Sequence, residues 1–213
     1  METMIKIEHV TKSFYNEILL DDLTLTANKG DIIGIIGENG CGKSVLFKMI
    51  CGFISPESGT IEVMGRNITG GNFPLSTGIF LDGTGFIPYA SAFDNMKNIA
   101  VIDNRINDAQ IRAVLKTVRL NPDSKKPVKK YSLGMKQRLG IAMALMENPR
   151  LLLLDEPFNA LDKEMAEAVR NLLLEKNKTD QVTIMLTSHN EKDIQLLCSH
   201  VYKIENYKLE QLY

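Results

Sequence analysis

Lys43 and Ser44 end the run Gly37-Glu38-Asn39-Gly40-Cys41-Gly42-Lys43-Ser44. Glycines at this spacing permit a tight turn in which backbone N–H groups crowd around phosphate oxygens. Lys43 is then in reach of the β- and γ-phosphates of a nucleotide, and the Ser44 hydroxyl can sit on Mg²⁺. Two other places carry groups of matching chemistry, Asp155-Glu156 and His189. Adjacent carboxylates can divide the work: Asp155 holds the metal, directly or through water, and Glu156 polarises the attacking water. His189 is expected to contact the γ-phosphate and orient that water.

Each of these groups follows an apolar run. Ile32-Ile33-Gly34-Ile35-Ile36 leads into the loop, Leu151-Leu152-Leu153-Leu154 into Asp155, and Val182-Thr183-Ile184-Met185-Leu186 into Thr187-Ser188-His189. Such runs read as buried parallel strands, whose carboxyl ends face one crevice. Val45 to Ile50, apolar but for Lys48, reads as a helix facing the core. Strand, glycine-rich loop and helix in this order predict an α/β fold, a P-loop NTPase core with a mainly parallel sheet.

The remaining elements are placed around that core. Residues 4–10 and 18–27 read as an antiparallel pair of strands joined by a turn at 11–17, with Leu19, Leu23 and Leu25 on one face. Phe14-Tyr15 at its edge is either rim packing or a platform for an adenine ring. Residues 60–64 and 78–81 read as strands, 65–72 as a glycine-rich turn, and Asp82 ends the second strand. From Gly83 to Tyr131 the signals become helical. Asn107 is an N-cap with Gln110 three residues on, ahead of an apolar face at Ile111, Val114, Leu115 and Val118. Residues 86–135 are read as a small helical subdomain inserted in the core. The lysines at 125, 126, 129 and 130 form a solvated loop or contact a partner or phosphates. A helix is expected from Leu139 to Glu147 with Pro149 ending it, another over 163–177 capped by Asn159-Ala160-Leu161-Asp162, a third over 190–198, and a closing hairpin at 201–204 and 207–212.

Composition narrows the class. The chain is 44% hydrophobic and 24% charged with a net charge of -1, which is ordinary for a globular domain and gives no electrostatic case for nucleic acid. Three cysteines suit a reducing compartment. Cys41, inside the loop, is a small side chain that fits there, or an oxidation-sensitive thiol in an electropositive nest. No basic and apolar leader follows Met1, and no apolar run approaches the roughly 18 residues needed to cross a bilayer. A soluble chain docked on a membrane protein is expected.

Taken together, the motifs resemble those of the ATP-binding cassette (ABC) ATPases, more narrowly the ATPase subunits of bacterial multidrug and peptide-antibiotic exporters. Gly37–Ser44 is similar to the Walker A loop, Leu151–Asp155 to the Walker B strand with Glu156 after it, Ala160-Leu161-Asp162 to the D-loop, and His189 to the switch histidine. Ser132-Leu133-Gly134-Met135-Lys136-Gln137-Arg138 is similar to the family signature. The resemblance covers nearly the whole chain as a single domain, residues 1–213. It implies ATP and Mg²⁺ as ligands, with Glu156, His189 and Lys43 catalytic and Ser44, Asp155 and Asp82 at the metal. Nucleotide contacts are implied for Phe14, Tyr15, Gly37, Asn39, Gly40, Cys41, Gly42, Lys43, Ser44, Val45, Asp82, Asp155, Ser132 and Gly134. It also implies a transmembrane permease and a second cassette chain as partners. Two cassettes would pack head to tail, the signature of one facing the γ-phosphate held by the other, at the cytoplasmic face of the membrane. The chain departs from the family pattern at Leu133, Met135 and Asp82, and at Asn206-Tyr207-Lys208 in place of a turn glycine. Competing readings are a soluble cassette acting on nucleic acid or ribosomes, which usually needs a longer insert or tandem cassette, and a non-catalytic regulatory cassette.

Overall fold

Two sheets with different strand directions carry the chain. The structure, a computed structural model, describes residues 2–15, 17–81 and 85–213. Asp82, expected at the metal, lies outside the described residues. The amino-terminal half contains β1 (Thr3–Phe14), β2 (Glu17–Asn28), β3 (Ile32–Gly37), α1 (Lys43–Ile50), β4 (Ser58–Val63), β5 (Arg66–Asn67) and β6 (Thr77–Phe80). Helices α2 (Ala92–Asp103), α3 (Asp108–Thr117) and α4 (Leu133–Leu145) follow. The remainder is β7 (Leu151–Leu154), α5 (Lys163–Asp180), β8 (Thr183–Thr187), α6 (Glu191–Leu197), β9 (His200–Glu205) and β10 (Lys208–Gln211).

The first sheet is antiparallel, in the order β2-β1-β4-β5, and the second has the order β10-β9-β3-β8-β7-β6. In the second sheet β9, β3, β8, β7 and β6 run parallel, with β10 antiparallel at one edge. Its central strands β3, β8 and β7 are buried on both faces, as their continuous apolar runs require. Ile33, Ile35, Leu151, Leu153 and Met185 pack toward α1 and the first sheet. Their neighbours Ile32, Leu152, Leu154, Ile184 and Leu186 pack toward the helices of the other face. That period-two division fixes the register, since a slip of one residue would exchange the faces. Among the described residues no helix is long and apolar enough to cross a membrane.

Three expectations about the elements are corrected. First, residues 11–14 and 17, read as part of a turn, lie in strands. Strands β1 and β2 continue to the pairs Lys12↔Leu20, Ser13↔Ile18 and Phe14↔Glu17. The register shifts between Val10 and Lys12, and Asp22 opposite has a left-handed φ of 56°. A bulge of this kind re-aims side chains, so Leu20 rather than Leu19 joins Leu23 and Leu25 in the core. Second, the 65–72 turn contains β5, which pairs with β4.

Third, the helix expected from Leu139 starts six residues earlier. Ser132 is its N-cap and accepts the Met135 N–H at 3.2 Å. The apolar run that marked the helix begins only at Leu139, whereas the cap sets its true start. Helix α4 lies close on β6: a Cβ at Gly78 would stand 1.9 Å from the Ala144 carbonyl, and one at Gly140 2.1 Å from the Phe80 ring. By contrast, the cap of α3 matches expectation. The Asn107 side chain accepts from Gln110 N–H at 3.0 Å, and the Gln110 side chain accepts from Asn107 N–H at 2.9 Å.

Candidate active site

The carboxyl ends of β3, β7 and β8 bring Lys43, Asp155 and His189 to one side of the sheet. After β3 the chain turns through Gly40 and Gly42, with φ of 83° and 107°. At Gly42 a Cβ would also stand 2.7 Å from Leu20, so the loop seats tightly against β2. Gly42 caps α1 with no side-chain hydrogen bond, leaving the helix amino terminus without an internal anion. The buried Lys43 donates from Nζ to the carbonyls of Gly37 at 2.7 Å and Glu38 at 2.9 Å. Its charge is thereby held over the loop.

Behind the loop, Asp155 is fixed at both oxygens. The Ser44 hydroxyl donates to Oδ2 at 2.6 Å and the Thr187 hydroxyl to Oδ1 at 2.7 Å. Thr187 in turn accepts the Glu156 N–H at 2.8 Å. Glu156 has a left-handed φ of 49°, a conformation that non-glycine residues adopt at a cost. The backbone N–H of His189 donates to Glu156 Oε2 at 3.3 Å. Its ring Nε2 lies 3.1 Å from Oε1. Among the described residues Oε1, itself buried, accepts no hydrogen bond. Burial pushes the Glu156 carboxyl above the usual range, against the opposing pull of His189. A carboxylate held that way is a better base than an exposed one.

These groups line a cavity of about 610 Å³. Of the residues expected at the site, Asn39, Gly40, Gly42, Lys43, Ser44, Val45, Asp155, Glu156 and His189 line it. Others do not. Gly37 and Cys41 support the loop from behind, the Cys41 sulfur standing 2.7 Å from where a Gly37 Cβ would be. Phe14 and the fully exposed Tyr15 sit at the tip of the β1–β2 hairpin, where Lys12 lies 5.1 Å from the Phe14 ring centre. Ser132 and Gly134 are also off the cavity wall, although Leu133, Lys136 and Gln137 of the same helix are on it. Gln137 donates from Nε2 to the Glu156 carbonyl at 2.6 Å. Neither Gln137 nor Thr187 was singled out from the sequence. A helix started at Ser132 puts 133, 136 and 137 on one face, which is the signal that starting it at Leu139 hides. Thr187 was legible as a polar residue ending a buried strand.

Known proteins match this chain in sequence and in fold. The model of the ABC transporter family matches residues 20–159. The chain belongs to the ABC transporter family. As a cassette ATPase of that family it is similar to several curated relatives. An uncharacterized ABC transporter ATP-binding protein, YybJ of Bacillus subtilis, is 36% identical over 97% of this chain and 95% of its own. The bacitracin transport ATP-binding protein BcrA of Bacillus licheniformis is 39% identical over 98% of this chain and 69% of its own. The lantibiotic transport ATP-binding protein SrtF of Streptococcus pyogenes is 35% identical over 93% of this chain and 85% of its own. Among solved structures, a dimeric bacterial ABC transporter cassette matches the fold with a TM-score of 0.88 at 23% identity, covering 99% of both chains.

Proposed function

We propose that this cassette powers a membrane exporter, binding and hydrolysing ATP in a head-to-tail pair of cassettes whose opening and closing a transmembrane permease converts to transport. The observation that carries the reading is the convergence of Lys43, Ser44, Asp155, Glu156 and His189 on one cavity. The bacitracin and lantibiotic transport relatives support the kind of cargo, a peptide antibiotic or similar drug. The chain's place is then peripheral, at the cytoplasmic face of the membrane.

In this reading the N–H groups of residues 39–45 and the Lys43 ammonium take the β- and γ-phosphates. Phe14 or Tyr15 stacks on adenine. Ser44 Oγ and Asp155 Oδ2, 2.6 Å apart, are hard oxygen donors suited to Mg²⁺ beside phosphate oxygens. Asp82 is proposed as a further metal contact. When bound there, such an ion would supply charge neutralisation at the phosphate oxygens. Glu156 draws a proton from the attacking water, and His189 keeps the carboxylate oriented through its backbone N–H and ring. Ser132 and Gly134 serve the nucleotide of the opposite chain, where the amino end of α4 stabilises the γ-phosphate. Residues 86–135 act as the helical subdomain, with α4 continuing from it onto the sheet.

The test is purification of the tagged chain from its own cells in mild detergent. A stoichiometric polytopic membrane protein supports the exporter reading. A chain that stays with ribosomes or nucleic acid removes it.

A further inference from the structure

Glu156 needs its backbone held. Its φ of 49° is left-handed, and a non-glycine residue stays there only where the surroundings fix it. Two side chains from different layers do so. Thr187, in β8, accepts the Glu156 N–H at 2.8 Å, and Gln137, in α4, donates to the Glu156 carbonyl at 2.6 Å. A second contact ties the same helix to the other end of that turn. Gly134 leaves only 2.6 Å between a would-be Cβ and the carbonyl of Ala160, itself left-handed at φ 58°. Gln137 follows Gly134 by three residues, so both look out from adjoining faces of the first two turns of α4.

We propose that Gln137 is a positioning residue for Glu156 of its own chain, so that where α4 sits decides where the catalytic carboxylate sits. The proposal rests on the reading of Glu156 as the base. A bond of 2.6 Å has no slack, so a shift of α4 against the sheet either breaks it or drags the Glu156 backbone along. The β8 anchor at Thr187 belongs to the sheet and does not follow the helix. The amino end of α4 thus has two addresses: its exposed cap faces outward, while Gln137 faces the site of the same chain.

Gln137→Met keeps the length of the side chain and removes the donor, and Gln137→Lys keeps an N–H donor on an unbranched stem. Both are made in the full chain and again on the Glu156→Gln background. Gln137→Met is expected to lower kcat about tenfold to a hundredfold, the scale of a misplaced reacting group. ATP affinity by calorimetry stays within about twofold, and the acid limb of the kcat–pH profile moves. Gln137→Lys keeps most of the rate. On the Glu156→Gln background Gln137→Met costs less than about twofold more, because the group it positions is already gone. A kcat for Gln137→Met within about twofold of the wild type overturns the proposal. So does an equal fold-loss on both backgrounds, which makes Gln137 a structural prop. Should Gln137→Met not fold, Gln137→Glu, near in shape and without a donor when ionised, carries the same comparison. A wild-type rate for Glu156→Gln alone sinks the base assignment and the inference with it. A normal loss there with Gln137→Met unaffected sinks only the inference.

Discussion

The phosphate loop and the signature helix bring equally polar groups to the site, yet they are finished to different degrees. At the loop, Lys43 is buried on two carbonyls, Ser44 is bonded to Asp155, and Asp155 to Thr187. At the signature, Ser132 is exposed and spends its hydroxyl on its own helix, and Leu133 beside it is 68% exposed. One half of the site is preformed within a single chain. The other presents a helix amino terminus outward, which fits a half that works only when something charged is brought to it.

The comparison breaks most visibly at Glu156, on the preformed side. Glu156→Gln should retain ATP binding and turn over at least ~10²-fold more slowly. Light scattering should then find a dimer that persists in ATP, and a wild-type rate would remove Glu156 from its role. Lys43→Ala strikes the same half at the binding step. The loss of one charge-assisted contact, about 1.5–3 kcal/mol, should weaken ATP about tenfold to a hundredfold. Calorimetry showing undiminished affinity would take the phosphates away from Lys43.

The signature half should behave differently. Gly134→Ala places a Cβ 2.6 Å from the Ala160 carbonyl, so helix and turn must part. ATPase activity should fall several-fold while ATP affinity of the isolated chain holds, as paired turnover and binding assays would show. A matching loss of affinity would erase the distinction between the halves. Ser132→Ala should cost about 1 kcal/mol as a lost N-cap. In a chain of this size that is about 2–4 °C of melting temperature, measurable by calorimetric scanning.

The smallest effect concerns pH. The Glu156 carboxyl is raised in the fold, chiefly by burial, so the unfolded chain gives up that proton first. Its protonated form therefore favours folding below the ordinary carboxylate range, and that contribution is lost as pH rises through the raised value. Glu156→Gln should melt slightly above the wild type near neutral pH, with the difference closing in acid. A gap that widened in acid would mean that the ionised carboxylate is favoured in the fold.

Much of this molecule was legible in short-range pattern. The three strands that end in Lys43-Ser44, Asp155-Glu156 and His189 announced themselves as apolar runs, because a strand covered on both faces leaves no room for alternation. The cap of α3 at Asn107 was equally plain, and that of α5 was narrowed to residues 159–162, since a cap is a contact between residues three apart. The hairpin tip and the start of α4 were misread for one shared reason. A bulge at Asp22 and the first turns of α4, whose residues 133–138 are not buried, are held by contacts that hydrophobic periodicity does not register.

What the sequence by itself determined is the chemistry on offer: a phosphate loop, a pair of acids and a histidine at strand ends, all set by local residue type and spacing. Tertiary structure alone decided how they are wired. Thr187 bridging Asp155 to Glu156, and Gln137 on the Glu156 carbonyl, join residues 31, 32 and 19 positions apart. Those bonds exist because the packing of β8 beside β7, and of α4 on β6 through Gly78 and Gly140, brings distant backbone within reach.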